Sequence, residues 1–187
     1  MQNKTKNDII VIAQKNFFLK GYSSTSLQDI ANELNIKPAS LYYHFSGGKE
    51  EIYIEVLINR LKEYKIEIES NLEKSNQLLE FLKSFAYWYV SQPQMNMDLI
   101  VKLDMPNLTV KSKQIIMKEI SNSIFNPLNS AFEKYKTQLK NIKTMNLVGL
   151  YLNMLNGIIF ATNEGYVKKE GLIEDYLEIF LNGINIK

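Results

Sequence analysis

Cysteine is absent from this sequence, histidine and arginine occur once each (His44 and Arg60), and proline occurs four times in 187 residues. Without cysteine there are no disulfides, no thiolate zinc sites and no thiol catalysis. A single histidine leaves no donor set for most metal chemistry, and no nucleophile or second titrating partner is apparent beside it. The expectation is no metal, no cofactor and no catalytic residues, hence no enzyme. Four prolines and eight glycines announce no linker. No stretch sustains the alternation of a half-buried strand. Long apolar runs are also missing. The opening run is broken by Gln14 and Lys15 and is too short for a secretory signal. Residues 147–161 are interrupted by Asn153 and Asn156 and fall short of the ~20 residues a membrane span needs. A soluble, cytoplasmic protein with no membrane partner is expected.

What is present is a core and an uneven charge. Hydrophobic residues make up 45% and charged residues 22%, enough for a globular interior. The net charge is only +2. Residues 1–50 hold six lysines against four acids, so the whole excess lies there, as expected of a part that meets a polyanion.

The apolar residues recur at helical spacing nearly throughout. Ile9, Ile10, Ala13 and Phe17 form one helix that Gly21 stops near Lys20. Ser26 followed by Asp29 is an N-cap pattern for a short helix ending at Leu34. Asn35 suits a turn, Pro38 suits the first position of the next helix, and Gly47 and Gly48 end it. A long helix starts at Lys49 with Ile52, Val56, Leu57, Leu61, Tyr64 and Ile68 on one face. Further helices are expected at about 76–91, 95–104, 107–121, 123–141, 145–168 and 172–185. The fold class is all-α, with about nine or ten helices.

Two short helices joined by a three-residue turn, LQDIANELNIKPASLYYHF, fit a helix-turn-helix, with the motif at 26–45. Ile30, Ala31 and Leu34 face inward, and Ile36 plugs the turn. Leu41 and Phe45 anchor the second helix at i, i+4. At 100° per residue, Ala39, Ser40 and Tyr43 point away from that arc, with Lys37, Tyr42 and His44 on its flanks. Small and hydroxyl-bearing side chains on an outward face suit a major groove about 12 Å wide. Tyr42, His44 and Lys49 also have plain surface or packing readings.

Ile9 through Leu57, above all TSLQDIANELNIKPASLYYHF followed by KEEI, resembles the N-terminal domain of the tetracycline repressor-like (TetR) family. The resemblance implies an all-helical dimer that blocks an operator and is released by a small ligand. It implies base-reading positions at Ala39, Ser40 and Tyr43, and phosphate contacts at Thr25, Tyr42, His44 and Lys49. Ser26 and Lys37 complete the expected DNA-contact set. Two departures stand out. FSGGK has one residue more than the family's usual spacing to the lysine, and position 39 is alanine where glycine is commoner. The expected organisation is a DNA-binding domain over 1–48 and a helical regulatory and dimerisation domain over 49–187.

In that second part, Gly149, Asn153, Gly157 and Ala161 recur every fourth residue along an apolar helix. With Tyr176 and Phe180 on the amphipathic last helix they form the expected dimer interface. The resemblance implies pairing of these two helices into a four-helix bundle, and the same stripe also suits packing within one chain. FLKSFAYWYV at 81–90 is unusually aromatic. Phe85, Trp88, Tyr89, Met95 and Met105, with Tyr151 and Asn156 as polar contacts, suit a pocket for a small apolar or amphipathic ligand. They suit an ordinary core equally well. Asp98, Asp104 and Glu119 either pair with a cationic ligand or are simply solvated. The expected function is a DNA-binding transcriptional regulator, a repressor released from double-stranded operator DNA by that ligand and acting as a homodimer. The alternatives are a regulator without a small-molecule inducer, whether protein-controlled or an activator, and a helical carrier of apolar molecules.

Overall fold

The computed structural model describes residues 6–92, 100–165 and 171–185. Among them are nine α-helices: α1 Lys6–Ser24, α2 Leu27–Leu34, α3 Pro38–His44, α4 Gly48–Lys74, α5 Leu78–Ser91, α6 Val110–Ile120, α7 Asn126–Lys134, α8 Thr144–Asn163 and α9 Leu172–Ile184. The all-helical expectation holds. Two compact units divide the chain, one of residues 6–62 with 100–120 and one of 63–92 with the described residues from 121 onward. Helix α4 is continuous through Lys62.

The first unit packs around Ile9, Ala13, Ile30, Ala31, Leu41, Phe45, Ile52 and Val56, all fully buried. Helix α1 is interrupted at Gly21, whose φ of 80° and ψ of 167° are not helical. That break matches the stop expected near Lys20. Asn16, 1% exposed, donates to the Ile12 carbonyl (3.0 Å) and to Glu33 (2.9 Å) and so ties α1 to α2.

The described end of the helix expected at 95–104 is not α-helical. Residues 95–99, Met95 among them, lie outside the described residues. Ile100–Asp104 is a π turn and Met105–Asn107 a 3-10 turn. Single π turns are uncommon and often functional. Here the turn delivers Asp104, 6% exposed, to the end of α1. Asp104 accepts the Tyr22 backbone N–H (3.0 Å) and the Tyr53 hydroxyl (2.6 Å). Asn107 bonds the Ser23 hydroxyl at 3.1 Å. The Thr109 N–H and hydroxyl both bond Glu50, at 2.9 and 2.7 Å. The expectation that Asp104 meets a ligand or solvent is therefore wrong. It is an internal acceptor that satisfies two buried donors.

In the second unit, the expected helix over 123–141 is broken. A π turn, Ser121–Phe125, precedes α7, and α7 ends at Tyr135. The chain then extends so that Leu139 forms an antiparallel bridge with Asn185, and the Lys140 N–H bonds the Ile184 carbonyl at 2.7 Å. Phe81, Phe85, Phe132 and Tyr151 are fully buried at its centre. Helix α8 is long and apolar enough to cross a bilayer by length and composition, with only a third of it buried.

Candidate nucleic-acid interface

The surface that α3 presents is fixed by local chemistry at three points. Ser26 caps α2 reciprocally. Its hydroxyl accepts the Asp29 N–H at 3.1 Å, and its own N–H donates to the Asp29 carboxylate at 2.8 Å, a capping box. The Ser26 hydroxyl also donates to that carboxylate at 2.7 Å and holds it below the usual carboxylate range. Asn35 then adopts a left-handed conformation (φ 54°), and its N–H closes α2 on Ala31 and Asn32. Pro38 opens α3 with its fixed φ at the first helical turn.

Packing orients the helix. Leu41 and Phe45 are fully buried, and Ile30, Ala31 and Leu34 are buried on the α2 helix packed beside α3, which leaves Ala39, Ser40 and Lys37 exposed. Tyr43 is 88% exposed and Tyr42 51%. The Tyr43 ring stands edge-on to half-buried His44 at 5.1 Å. The extra glycine of FSGGK has a local role. Gly48 adopts φ +65°, and a Cβ there would lie 3.1 Å from the Tyr42 ring. Tyr42 thus packs its ring on the start of α4 while half its surface stays wet.

The remaining sequence-predicted DNA contacts sit differently. Thr25 is 1% exposed, and its hydroxyl donates to the Gly21 carbonyl at 2.9 Å. The Lys49 ammonium donates to the carbonyls of Tyr22 (2.9 Å) and Thr25 (3.0 Å) and lies 4.2 Å from the Tyr22 ring centre. Burial pushes its pKa down. Two of its three N–H donors are thereby engaged inside the unit. Ser26 remains exposed at the α2 N-terminus. Sequence reasoning missed the supporting shell of Asn16, Tyr22, Tyr53 and Asp104, because nothing in the periodicity marks a buried polar partner far along the chain.

The predicted ligand residues divide between the units. Met105, 8% exposed, belongs to the first. In the second, Phe85 packs on Trp88, Tyr89 and Tyr151 with ring centres 5.7–6.2 Å apart. The Tyr151 hydroxyl donates to the Leu82 carbonyl, and the Tyr89 hydroxyl to Asn156 at 2.8 Å. Burial raises both phenol pKa values. A groove of about 650 Å³ lies elsewhere, in the first unit, between α4 (Ile54, Ile58) and the start of α6 (Ser112, Ile115), and none of the predicted ligand residues lines it. Of the predicted dimer residues, Asn153 and Gly157 are exposed and Gly149, Ala161, Tyr176 and Phe180 half-buried. A Cβ at Gly149 or Gly157 would meet nothing within 4 Å, so the stripe faces away from its own chain.

Residues 9–56 match the family described as bacterial regulatory proteins, tetR family. Over 172 residues the chain is 28% identical to the biofilm operon negative transcriptional regulator IcaR of Staphylococcus epidermidis, covering 91% of this chain and 89% of that one. It is 43% identical to the transcriptional regulator LmrA of Bacillus subtilis over 60 residues, 32% of this chain and 31% of LmrA. The segment over residues 9–56 is therefore a tetR-family one. The same fold recurs in a TetR regulator from Legionella pneumophila at a TM-score of 0.75 and 21% identity, covering 99% of this chain and all of that one. It recurs in FadR from Bacillus subtilis in complex with stearoyl-CoA at 0.69 and 15%, covering 97% of this chain and all of that one. The tetR-family segment and the similarity to IcaR over nearly the whole chain support a DNA-binding transcriptional regulator, not an enzyme. The matched segment contains the cap, turn and first-turn residues that shape α3 locally.

Proposed function

We propose that the chain is a homodimeric repressor that occupies double-stranded operator DNA through α3 and is released by a small apolar or amphipathic ligand. The observation that carries the reading is the α3 face. Ala39, Ser40 and Tyr43 are exposed on a helix anchored from its opposite side by buried Leu41 and Phe45, with Tyr42, His44 and Lys37 flanking them. A helix held this way is suited to a major groove. The negative regulator IcaR, similar over nearly the whole chain, supports repression, and the stearoyl-CoA held by FadR supports an apolar or amphipathic effector.

Dimerisation supplies the second recognition helix. The outward stripe of α8 is accompanied by Leu150 (54% exposed) and Met145 (43%), and α9 adds Ile179 (70%). This apolar face, poorly covered within one chain, supports pairing of α8 and α9 with a second copy, which would set two α3 helices about 34–36 Å apart on DNA. An effector that favours the non-DNA state by about 1–3 kcal/mol would weaken operator binding about 5–150-fold.

A second reading, regulation without a small-molecule inducer, is favoured by the aromatic cluster. Phe85 and Tyr151 are fully buried, and the tyrosine hydroxyls are satisfied internally, which is how a core behaves. Operator binding by fluorescence anisotropy, paired with mass spectrometry of ligand retained by the purified protein, separates the two. Tyr43→Ala should lose at least tenfold in operator affinity with helicity unchanged. Unchanged affinity would remove the proposed reading surface. A retained ligand whose addition releases DNA selects the first reading, and its absence with intact operator binding selects the second.

A further inference from the structure

Apart from Lys37 at its N-terminal flank, the reading surface lacks the groups that recognise guanine, and the surrounding structure engages Lys49 and Lys15 nearby. Helix α3 carries no arginine, asparagine or glutamine. On α2, Gln28 and Asn32 are exposed, but the Gln28 amide donates to the Asn32 side-chain oxygen at 2.7 Å. Lys49 is turned onto the Tyr22 and Thr25 carbonyls, and Lys15 is paired with Glu33 at 2.9 Å. What remains on the outward face is the Ala39 methyl, the Ser40 hydroxyl and the Tyr43 ring, held edge-on by His44. Lys37 flanks that face at the N-cap.

In the major groove, guanine is selected by a bidentate donor to its O6 and N7, and cytosine by an acceptor for its amino group. The face has no bidentate donor and no carboxylate. Thymine presents a 5-methyl group that takes apolar contact from alanine and aromatic carbon. Single hydroxyls such as those of Ser40 and Tyr43 donate or accept and discriminate little. Accordingly, resting on the DNA-binding reading above, we propose that α3 reads A·T-rich half-sites through thymine methyl contacts of Ala39 and Tyr43, with no base pair of the half-site fixed by a guanine contact. The charged groups position the protein on phosphates. Flexible or narrow A·T steps add shape readout.

The test is selection from a random duplex pool with the full chain, followed by affinities for single-pair changes. Half-sites should return A·T-rich, and exchanging one A·T pair for G·C under α3 should weaken binding about fivefold or more. Ala39→Gly and Tyr43→Ala should flatten that preference, Tyr43→Phe should retain it, and Lys37→Ala should weaken all sequences alike. These residues are exposed, so circular dichroism should report unchanged helicity. Half-sites with selected G·C pairs under α3, or selectivity at a G·C pair lost on Lys37→Ala, would overturn the inference while leaving DNA binding intact. Binding to no duplex even at low salt would instead overturn the DNA-binding reading on which it rests.

Discussion

The buried carboxylate of Asp104 makes a sharp prediction through Tyr53. Tyr53 is 1% exposed, and its hydroxyl is 2.6 Å from one Asp104 oxygen, while the other oxygen accepts the Tyr22 N–H at 3.0 Å. The Tyr53 ring packs edge-on to Phe17 at 5.0 Å and tilted against Tyr22 at 4.8 Å. Tyr53→Phe keeps both ring contacts and removes only the hydroxyl. A hydrogen bond to a charged group contributes about 1.5–3 kcal/mol, and the change also strands part of a buried carboxylate, so the upper half of that range is expected. With a urea m-value of about 2 kcal/mol/M, the unfolding midpoint of the first unit should fall by about 1 M. Circular dichroism against urea reads the shift, and hydrogen exchange at the Tyr22 amide localises it. Asp104→Ala, which removes both acceptors, should cost more than Tyr53→Phe. A Tyr53→Phe midpoint within about 0.2 M of wild type would refute the claim that the Tyr53–Asp104 bond ties the π turn to α4.

Other consequences are as direct. Asp29 is held below the usual carboxylate range first by the Ser26 hydroxyl and then by the Ser26 N–H. A depressed folded-state pKa means that its contribution is full above the ordinary value of ~3.9 and is lost as pH falls through the folded one. Ser26→Ala should raise the Asp29 pKa toward that ordinary value, read by NMR titration, and should cost about 1 kcal/mol at neutral pH. Gly48→Ala should destabilise by about 1–3 kcal/mol in thermal or urea unfolding, because φ of +65° disfavours any side chain and the new Cβ meets the Tyr42 ring at 3.1 Å. Gly157→Glu places a charge on an open, outward face of α8. Sedimentation should show a folded monomer in place of a dimer, and an unchanged dimer would move the interface elsewhere.

The helix-turn-helix was legible because its determinants are local. Ser26 with Asp29, left-handed Asn35 and Pro38 at the first turn each act within a few residues, and Leu41 and Phe45 follow from periodicity. What could not be read is non-local. Past the end of α7, Leu139 meets Asn185, a contact no window of sequence contains. Asp104 reads as one more acid until the fold brings Tyr22 and Tyr53 to it. Lys49 illustrates the same limit. It sits one residue beyond the usual family spacing, and the turn of its ammonium toward two backbone carbonyls is visible only in the fold. The aromatic run at 81–90 was recognised as unusual, but composition alone does not separate a packed interior from a receptive one.

The return of residues 100–120 to the first unit also bears on the order in which the protein matures. During synthesis, α1 to α3 and the first half of α4 emerge well before the π turn that carries Asp104. Until that turn arrives, the Tyr22 N–H and the Tyr53 hydroxyl lack their acceptor. At about 5–20 residues per second, this leaves the nascent α1–α4 segment waiting a few seconds for a group encoded far downstream. A fragment cut after Lys62 would remain in that unfinished condition permanently, so the DNA-reading unit is a discontinuous one that a simple N-terminal truncation does not isolate.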